Sequence, residues 1–216
     1  MVKAAKGTSI IHTFARKERG VTVPVSKQQI TMPDGSVGLS VGIDLSAVEV
    51  PDRSYYAEVC GLAYENVRVK FMFGQMQRNG KPRSLIIISM TPHAAAMCLD
   101  LVDRLATPSL DEILLRTQIE KGRLTDFPED PEETAALKAS MVAMAFFGRD
   151  ACLDFYDASP FSWAGAQSSS KMTVLGVVRI NTDTALVAAM VDRLREFQAQ
   201  FPADARTSGG IHGKDI

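Results

Sequence analysis

The feature that most constrains this chain is an order of elements that occurs twice. Between residues 36 and 125, segments with apolar residues at every second position lead into a segment of helical period, and the same succession returns between residues 134 and 201. In the first set, residues 54–65 (SYYAEVCGLAYE) alternate without a polar face. That predicts a strand covered on both sides or lying in an interface. Asn66 offers a turn, and Val67, Val69, Phe71 and Phe73 then alternate with Arg68, Lys70 and Met72. Asn79-Gly80 is a hairpin signal, because both residues accept positive φ. Residues 84–90 (SLIIISM) suit a central strand. Thr91-Pro92 supplies an N-cap and a first helical position, and the helix reaches about Ala106 with Ala94, Met97, Cys98, Leu101 and Val102 on one face. Ser109 and Glu112 form a capping box for a second helix.

The second set predicts strands at 137–147, 152–156 and 171–180, with a Ser, Gly and Ala-rich loop at 159–170 where the first set has its hairpin. Asn181, Thr182 and Asp183 are cap residues for a helix from about Thr184 to Phe201. Val102-Asp103-Arg104-Leu105 recurs as Val191-Asp192-Arg193-Leu194; Val69–Phe71 matches Leu153–Phe155, and residues 85–90 match 174–180. The expected fold is therefore α+β, two tandem antiparallel-sheet-plus-helix units related by a pseudo-two-fold. They follow an N-terminal arm (1–35). The first unit (36–125) has an extra helix, an acidic linker (126–133) joins it to the second (134–201), and a disordered tail (202–216) ends the chain. Within the arm, Val21, Val23 and Val25 alternate as an edge strand, and Pro33-Asp34-Gly35 turns the chain into a strand from Val37 to Leu45.

Composition narrows the function. The formal net charge of −1 gives no global attraction for a phosphate backbone, so nucleic acid is not the expected partner. The basic residues Lys3, Lys6, Arg16, Lys17 and Arg19 gather in the arm. No apolar stretch approaches the roughly 20 residues of a membrane span, and no apolar run of about 7–15 residues follows the early lysines, so a signal peptide is not expected. Cys60, Cys98 and Cys152 are widely spaced within apolar segments, as reduced core thiols of a cytoplasmic protein would be.

Reactive motifs are absent from the pattern. Gly35, Gly38 and Gly42 fit neither a dinucleotide fingerprint nor a phosphate loop. His12, His93 and His212 are too scattered to bind a metal together, and no cofactor is expected. The carboxylates of residues 126–133 (DFPEDPEE) sit on a proline-containing linker, the opposite of the rigid pair that acid–base chemistry requires. If a pocket forms between the two units, its candidates are His93, Asp103 and Asp192.

Residues 56–105 contain Tyr56-Ala57, Phe73-Gly74-Gln75, and Met90, Pro92 and Ala95. On these motifs the stretch resembles a small uncharacterised bacterial domain family, whose strand order and trailing helix are in turn similar to the fold of SecB-type export chaperones. The second unit departs from the motifs, with Asp157-Ala158 in place of Gly-Gln and Thr182 in place of Pro92. The resemblance implies antiparallel sheets that assemble as oligomers and hold unfolded chains in apolar grooves. A tandem copy would mimic a dimer within one chain. The expected function is thus non-enzymatic binding of a protein or unfolded polypeptide, with assembly as a homodimer. The alternatives are a small-molecule site between the units and a structural subunit of a larger complex. The expected contact residues are Tyr55, Tyr56, Cys60, Leu62 and Tyr64 on the doubly apolar strand, with Phe161 and Trp163 in the loop.

Overall fold

The computed structural model describes residues 20–31, 37–105, 109–127, 135–202 and 205. Most of the expected arm before Gly20, the linker from 128 and the tail from 206 lie outside these residues. The described chain is mixed α+β, with two sheets. In order it runs β1 (Val21–Thr31), β2 (Val37–Ile43), β3 (Ser54–Tyr56), β4 (Val59–Glu65), β5 (Arg68–Met76), β6 (Pro82–Met90), α1 (Pro92–Leu105) and α2 (Leu110–Thr117). It continues as β7 (Ala135–Lys138), β8 (Met141–Phe147), β9 (Asp150–Asp157), α3 (Pro160–Ser169), β10 (Lys171–Asp183) and α4 (Thr184–Gln198). The smaller sheet has the order β4-β5-β6-β7. The larger has β2-β1-β10-β9-β8, with β3 also pairing β10.

Strand membership does not follow the expected unit boundaries. β2 pairs with β1, and β1 with β10, so both belong to the sheet that holds β8 and β9. The expected strand over 54–65 breaks after Tyr56: its first part joins β10 and its second part joins β5. The expected strand over 137–147 breaks in the same way after Lys138, with β7 joining β6 and β8 joining β9. Both crossings are parallel, so the sheets are not purely antiparallel as expected. The reason is geometric. Each short leading strand crosses to the other sheet, where it runs beside the strand that enters the helix.

Counting outward from the hairpin turns Asn66-Val67 and Gly148-Arg149 puts the two strand sets in one-to-one correspondence. Val69 pairs with Met90 as Ala151 pairs with Thr182. The Ala57 N–H donates to the Asn181 carbonyl at 2.9 Å, and the Ala139 N–H to that of Ser89 at 3.2 Å. The Glu58 N–H donates to Gly74 and the Ser140 N–H to Tyr156, both at 2.9 Å. In this register the counterpart of Val69 is Ala151, that of Gly74 is Tyr156, and that of Pro92 is Thr184. The residue matches read from sequence are therefore displaced. Leu99 corresponds to Val191 and Val102 to Leu194, all of them buried, so the Val-Asp-Arg-Leu identity lies about one helical turn out of register.

Burial explains why the elements close on each other. The main core lies between the sheets and the two long helices and includes Phe73, Phe155, Ile86, Ile88, Met90, Val178 and Ile180, all nearly inaccessible. α1 packs on β5 and β8, and α4 packs on β4, β9 and β10, so each helix covers strands of both sheets. The rings of Phe73 and Phe155, which are counterparts, meet edge-on at 5.9 Å. Each such side chain contributes roughly 2–3 kcal/mol through burial. Thr91 caps α1 through the Ala94 N–H, the capping box of Ser109 and Glu112 closes α2, and Asp183 caps α4 through the Ala185 N–H at 2.8 Å.

After α2 the chain runs extended across the start of β4. The Thr125 N–H bonds the Cys60 carbonyl at 2.8 Å, and Phe127 lies over Gly61 and Gly74. A Cβ at Gly61 would come within 2.6 Å of the Thr125 carbonyl oxygen, so this approach requires glycine. Phe127, expected in the linker of 126–133, is thus laid against the sheet, while Asp126 stays exposed.

Candidate functional site

One face of the larger sheet is half covered. At the end near β1, Met141, Tyr156, Met172, Val174 and Val23 pack beneath Ala166 and Trp163 of α3 and beneath Ile43, Leu45 and Val48. α3 replaces the loop expected at 159–170. Ser159 caps it through the Ser162 N–H, and Pro160 occupies the first turn, the same signal as Thr91-Pro92. The other end of the face is open.

Register defines what the open end presents. Cross-strand partners point to the same side. Ser54, Arg179, Asp154 and Ala143 form one row; Tyr56, Asn181, Cys152 and Ala145 form the next; Phe147 and Asp150 lie beyond. Arg179 closes the covered end by a two-toothed pair to Asp154, both bonds 2.6 Å. Hydrogen bonding to Asp154 raises the Arg179 pKa, so the guanidinium stays charged. Asn181 Nδ2 donates to Ser54 Oγ at 3.0 Å and so fixes the start of β3.

The result is a groove walled by exposed aromatics. Tyr56 is 57% exposed and Phe147 88%. Between them lies a concavity of about 320 Å³ floored by Ala145, Cys152 and Asn181. On the far side of Tyr56 a second concavity of about 560 Å³ reaches the start of α4, bounded by Glu58, Gln118, Glu120, Arg149 and Leu186. Tyr56 is the ridge between the two. The corresponding row of the smaller sheet is Lys138, Ser89, Lys70 and Ala63, flanked by Glu65 and Arg68. Lys70 and Glu65 pair there at 3.0 Å. The aromatic groove is therefore a property of one face and not of the scaffold.

Burial, and then the charge of Asp154, push the Cys152 thiol pKa up, which disfavours the thiolate. No cluster of histidine, cysteine and carboxylate side chains suited to a metal occurs among the described residues. Asp103 and Asp192 both bond Arg195, at 2.7 and 3.1 Å, and Asp192 also bonds Lys121 at 2.7 Å. His93 sits in the first turn of α1, about 15 Å along the helix from Asp103 at 1.5 Å per residue. The three candidates for a catalytic pocket between the units are not brought together. Near Phe71, Cys98 and Phe155 the interior holds an apolar void of about 20 Å³.

The expected contact residues divide. Tyr56 is the groove ridge. Tyr55, 36% exposed, pairs with Ile180 and points to the opposite side of β3. Cys60 and Leu62 are buried, and Tyr64 packs on Phe197 and Phe201 at the end of α4, so these three are core rather than contact surface. Their strand is apolar on both sides because α4 covers one and the 119–127 segment crosses the other. Phe161 is 85% exposed on α3, whereas Trp163 is half-buried beneath it in the covered cluster. Sequence reasoning missed Phe147, Asp150, Cys152 and Asn181 as groove residues. Alternation from buried Val142 sets the parity that turns Phe147 outward, but the parity is visible only once the break after Lys138 is known.

The chain matches no family model, and no curated protein or solved structure matches it. No helix of the described residues is long and apolar enough to cross a membrane.

Proposed function

We propose that the chain is a non-enzymatic polypeptide-binding module whose Tyr56 groove takes an extended apolar segment. The observation that carries this reading is the exposure of Tyr56 and Phe147 on either side of a concave, mostly uncharged floor, on one sheet face only. In this reading the molecule is two copies of one sheet-and-helix unit about a pseudo-two-fold, SecB-like in character. The recurring hydrogen-bond register and the reciprocal crossing of β3 and β7 support it. One copy keeps a charged face, and the other carries the groove. Assembly as a homodimer and a cytoplasmic location belong to the same reading, the latter supported by three unpaired cysteines.

The test is anisotropy of a labelled, permanently unfolded polypeptide titrated with the full chain. Saturable binding is expected, weakened at least about ten-fold by Tyr56→Ala with Phe147→Ala while the melting temperature holds. Equal binding by the double variant, or none by the parent chain, overturns the proposal. Light scattering after gel filtration at micromolar concentration tests the dimer.

A further inference from the structure

The outer edge of β8 is the counterpart of an edge that the molecule covers elsewhere. β4 and β8 each lead into a two-residue hairpin turn, Asn66-Val67 and Gly148-Arg149, and both ladders keep register without a break. The residues that flank such a turn exchange backbone bonds with each other. Glu65 and Phe147 therefore turn their N–H and C=O groups inward, toward β5 and β9. Alternation then turns Cys60, Leu62 and Tyr64 of β4 outward, and likewise Val142, Met144 and Phe146 of β8. At β4 that edge is occupied. The Cys60 carbonyl accepts from the Thr125 N–H at 2.8 Å, and the Phe127 ring follows over Gly61. Val142 is the counterpart of Cys60. Among the described residues no strand pairs with the outer side of β8, and no backbone bond reaches Val142, Met144 or Phe146 from outside the sheet.

Nothing in the sequence blunts this edge. Met141–Phe147 reads MVAMAFF, with neither a charge nor a proline. An apolar edge of this kind is a template for another strand. The strand is also complementary to itself. Two copies laid antiparallel with Met144 on the two-fold set Met144 opposite the partner's Met144, and Val142 opposite the partner's Phe146. All of these residues face outward, and each pair exchanges both of its bonds, so no outward group is left unused. Moving the two-fold to Ala143 or Ala145 leaves Phe146 or Val142 without a partner in the strand. On the core face the pairing sets a β-branched side chain against an aromatic one. On the groove face Ala143 meets the partner's Ala145, and Phe147 meets the partner's Met141. No like charges oppose each other along the strand.

We propose that β8 is the homodimer edge: two copies pair β8 with β8, antiparallel about Met144, and their larger sheets become one. This rests on the dimer of the proposed function and gives it an interface. Cross-strand partners share a side, so both Tyr56 grooves open on the same face of the joined sheet. The floor row of each groove, Tyr56, Asn181, Cys152 and Ala145, runs on into the partner's Ala143 and the partner's Asp154.

The parent chain, which needs no substitution, is tested by hydrogen exchange of single amides beside light scattering, from sub-micromolar to submillimolar protein. The amides of Val142, Met144 and Phe146 are expected to exchange at least about ten-fold more slowly across that range, in step with the dimer. A full-length Met144→Cys variant is then oxidised. The Cα atoms of a directly opposed, bonded pair lie about 5.5 Å apart, within disulfide reach. Ala145 lies diagonal to the partner's Ala145 at roughly 7–8 Å, outside it. Met144→Cys is therefore expected to give a linked dimer, and Ala145→Cys is not; equal linking by both overturns the register. A strict monomer, or a dimer in which the three amides exchange at an unchanged rate, overturns the proposal. Protection already complete in a monomer puts a strand of the same chain on the edge and overturns it as well. Protection that appears only with added unfolded polypeptide gives the edge to that ligand and overturns the second copy. Polypeptide binding by a strict monomer overturns this interface and leaves the groove standing. A dimer paired through β8 that binds no unfolded polypeptide upholds the interface and overturns the proposed function.

Discussion

Asp103 and Arg195 stand at corresponding positions of α1 and α4 and bond each other at 2.7 Å. Hydrogen bonding to Asp103, opposed by partial desolvation, raises the Arg195 pKa. Both side chains are near half exposed, so the pair is a surface contact of modest worth. Asp103→Ala is expected to cost less than about 1 kcal/mol in denaturant unfolding. A loss of several kcal/mol would show that this pair, and not the apolar seam beneath it, holds the helices together.

The two hairpin turns provide a paired test. Asn66 and Val67 both have positive φ, 49° and 56°, and Val67 is 61% exposed. A β-branched residue is strained there, while the corresponding turn opens with Gly148 at φ 62°. Val67→Gly is expected to stabilise the protein by about 1 kcal/mol, and Gly148→Val to destabilise it by about 1–2 kcal/mol. Thermal melts read both, at about 2–4 °C per kcal/mol for a chain of this size. A lower melting temperature for Val67→Gly would contradict the argument.

Burial decides between two residues that the sequence placed on one binding strand. Leu62→Ala removes core volume and is expected to cost about 2–4 kcal/mol. Tyr56→Ala is expected to cost about 0.5 kcal/mol or less and to act on binding alone. Chemical denaturation combined with the polypeptide titration separates the two effects.

Alternation and caps were readable because they depend on neighbouring residues. The Asn79-Gly80 hairpin, with Gly80 at φ 75°, and the caps at Thr91 and Ser109 stand where the sequence predicts them. The breaks after Tyr56 and Lys138 were not readable. Nothing in SYYAEV or AALKASM interrupts period two, and the chain changes sheets there because a partner strand distant in sequence offers a better edge. Cys60, Leu62 and Tyr64 were read as contact residues and pack in the core for the same reason, since a strand apolar on both sides reads identically in a core and in an interface. The groove face was hidden more deeply. Its rows combine β3, β10, β9 and β8, and no short window of sequence contains them.

The buried thiols predict a limb in the pH profile. Desolvation pushes both Cys60 and Cys98 up to about 12 from an ordinary 9.0. A thiol that ionises later in the folded state leaves the unfolded chain favoured as pH rises. Stability is therefore constant below pH 9.0 and falls between 9.0 and about 12, by about 1.4 kcal/mol per pH unit for each thiol. Unfolding free energies at pH 8 and pH 10 are expected to differ less in the Cys60→Ala and Cys98→Ala double variant than in the parent chain. Equal losses would assign the alkaline limb to other groups.

The crossing of β3 into the larger sheet also bears on how the chain is made. The Thr182 hydroxyl bonds the Ala57 carbonyl across 125 residues of sequence. A ribosome adding about 5–20 residues per second releases β3 on the order of ten seconds before its partner strand exists. For that interval Tyr55 and Tyr56 lack their partner strand, and the smaller sheet lacks the cover of α4. Completion of the larger sheet is thereby deferred until β10 has been made, and a nascent chain stalled before β10 holds β3 without its partner.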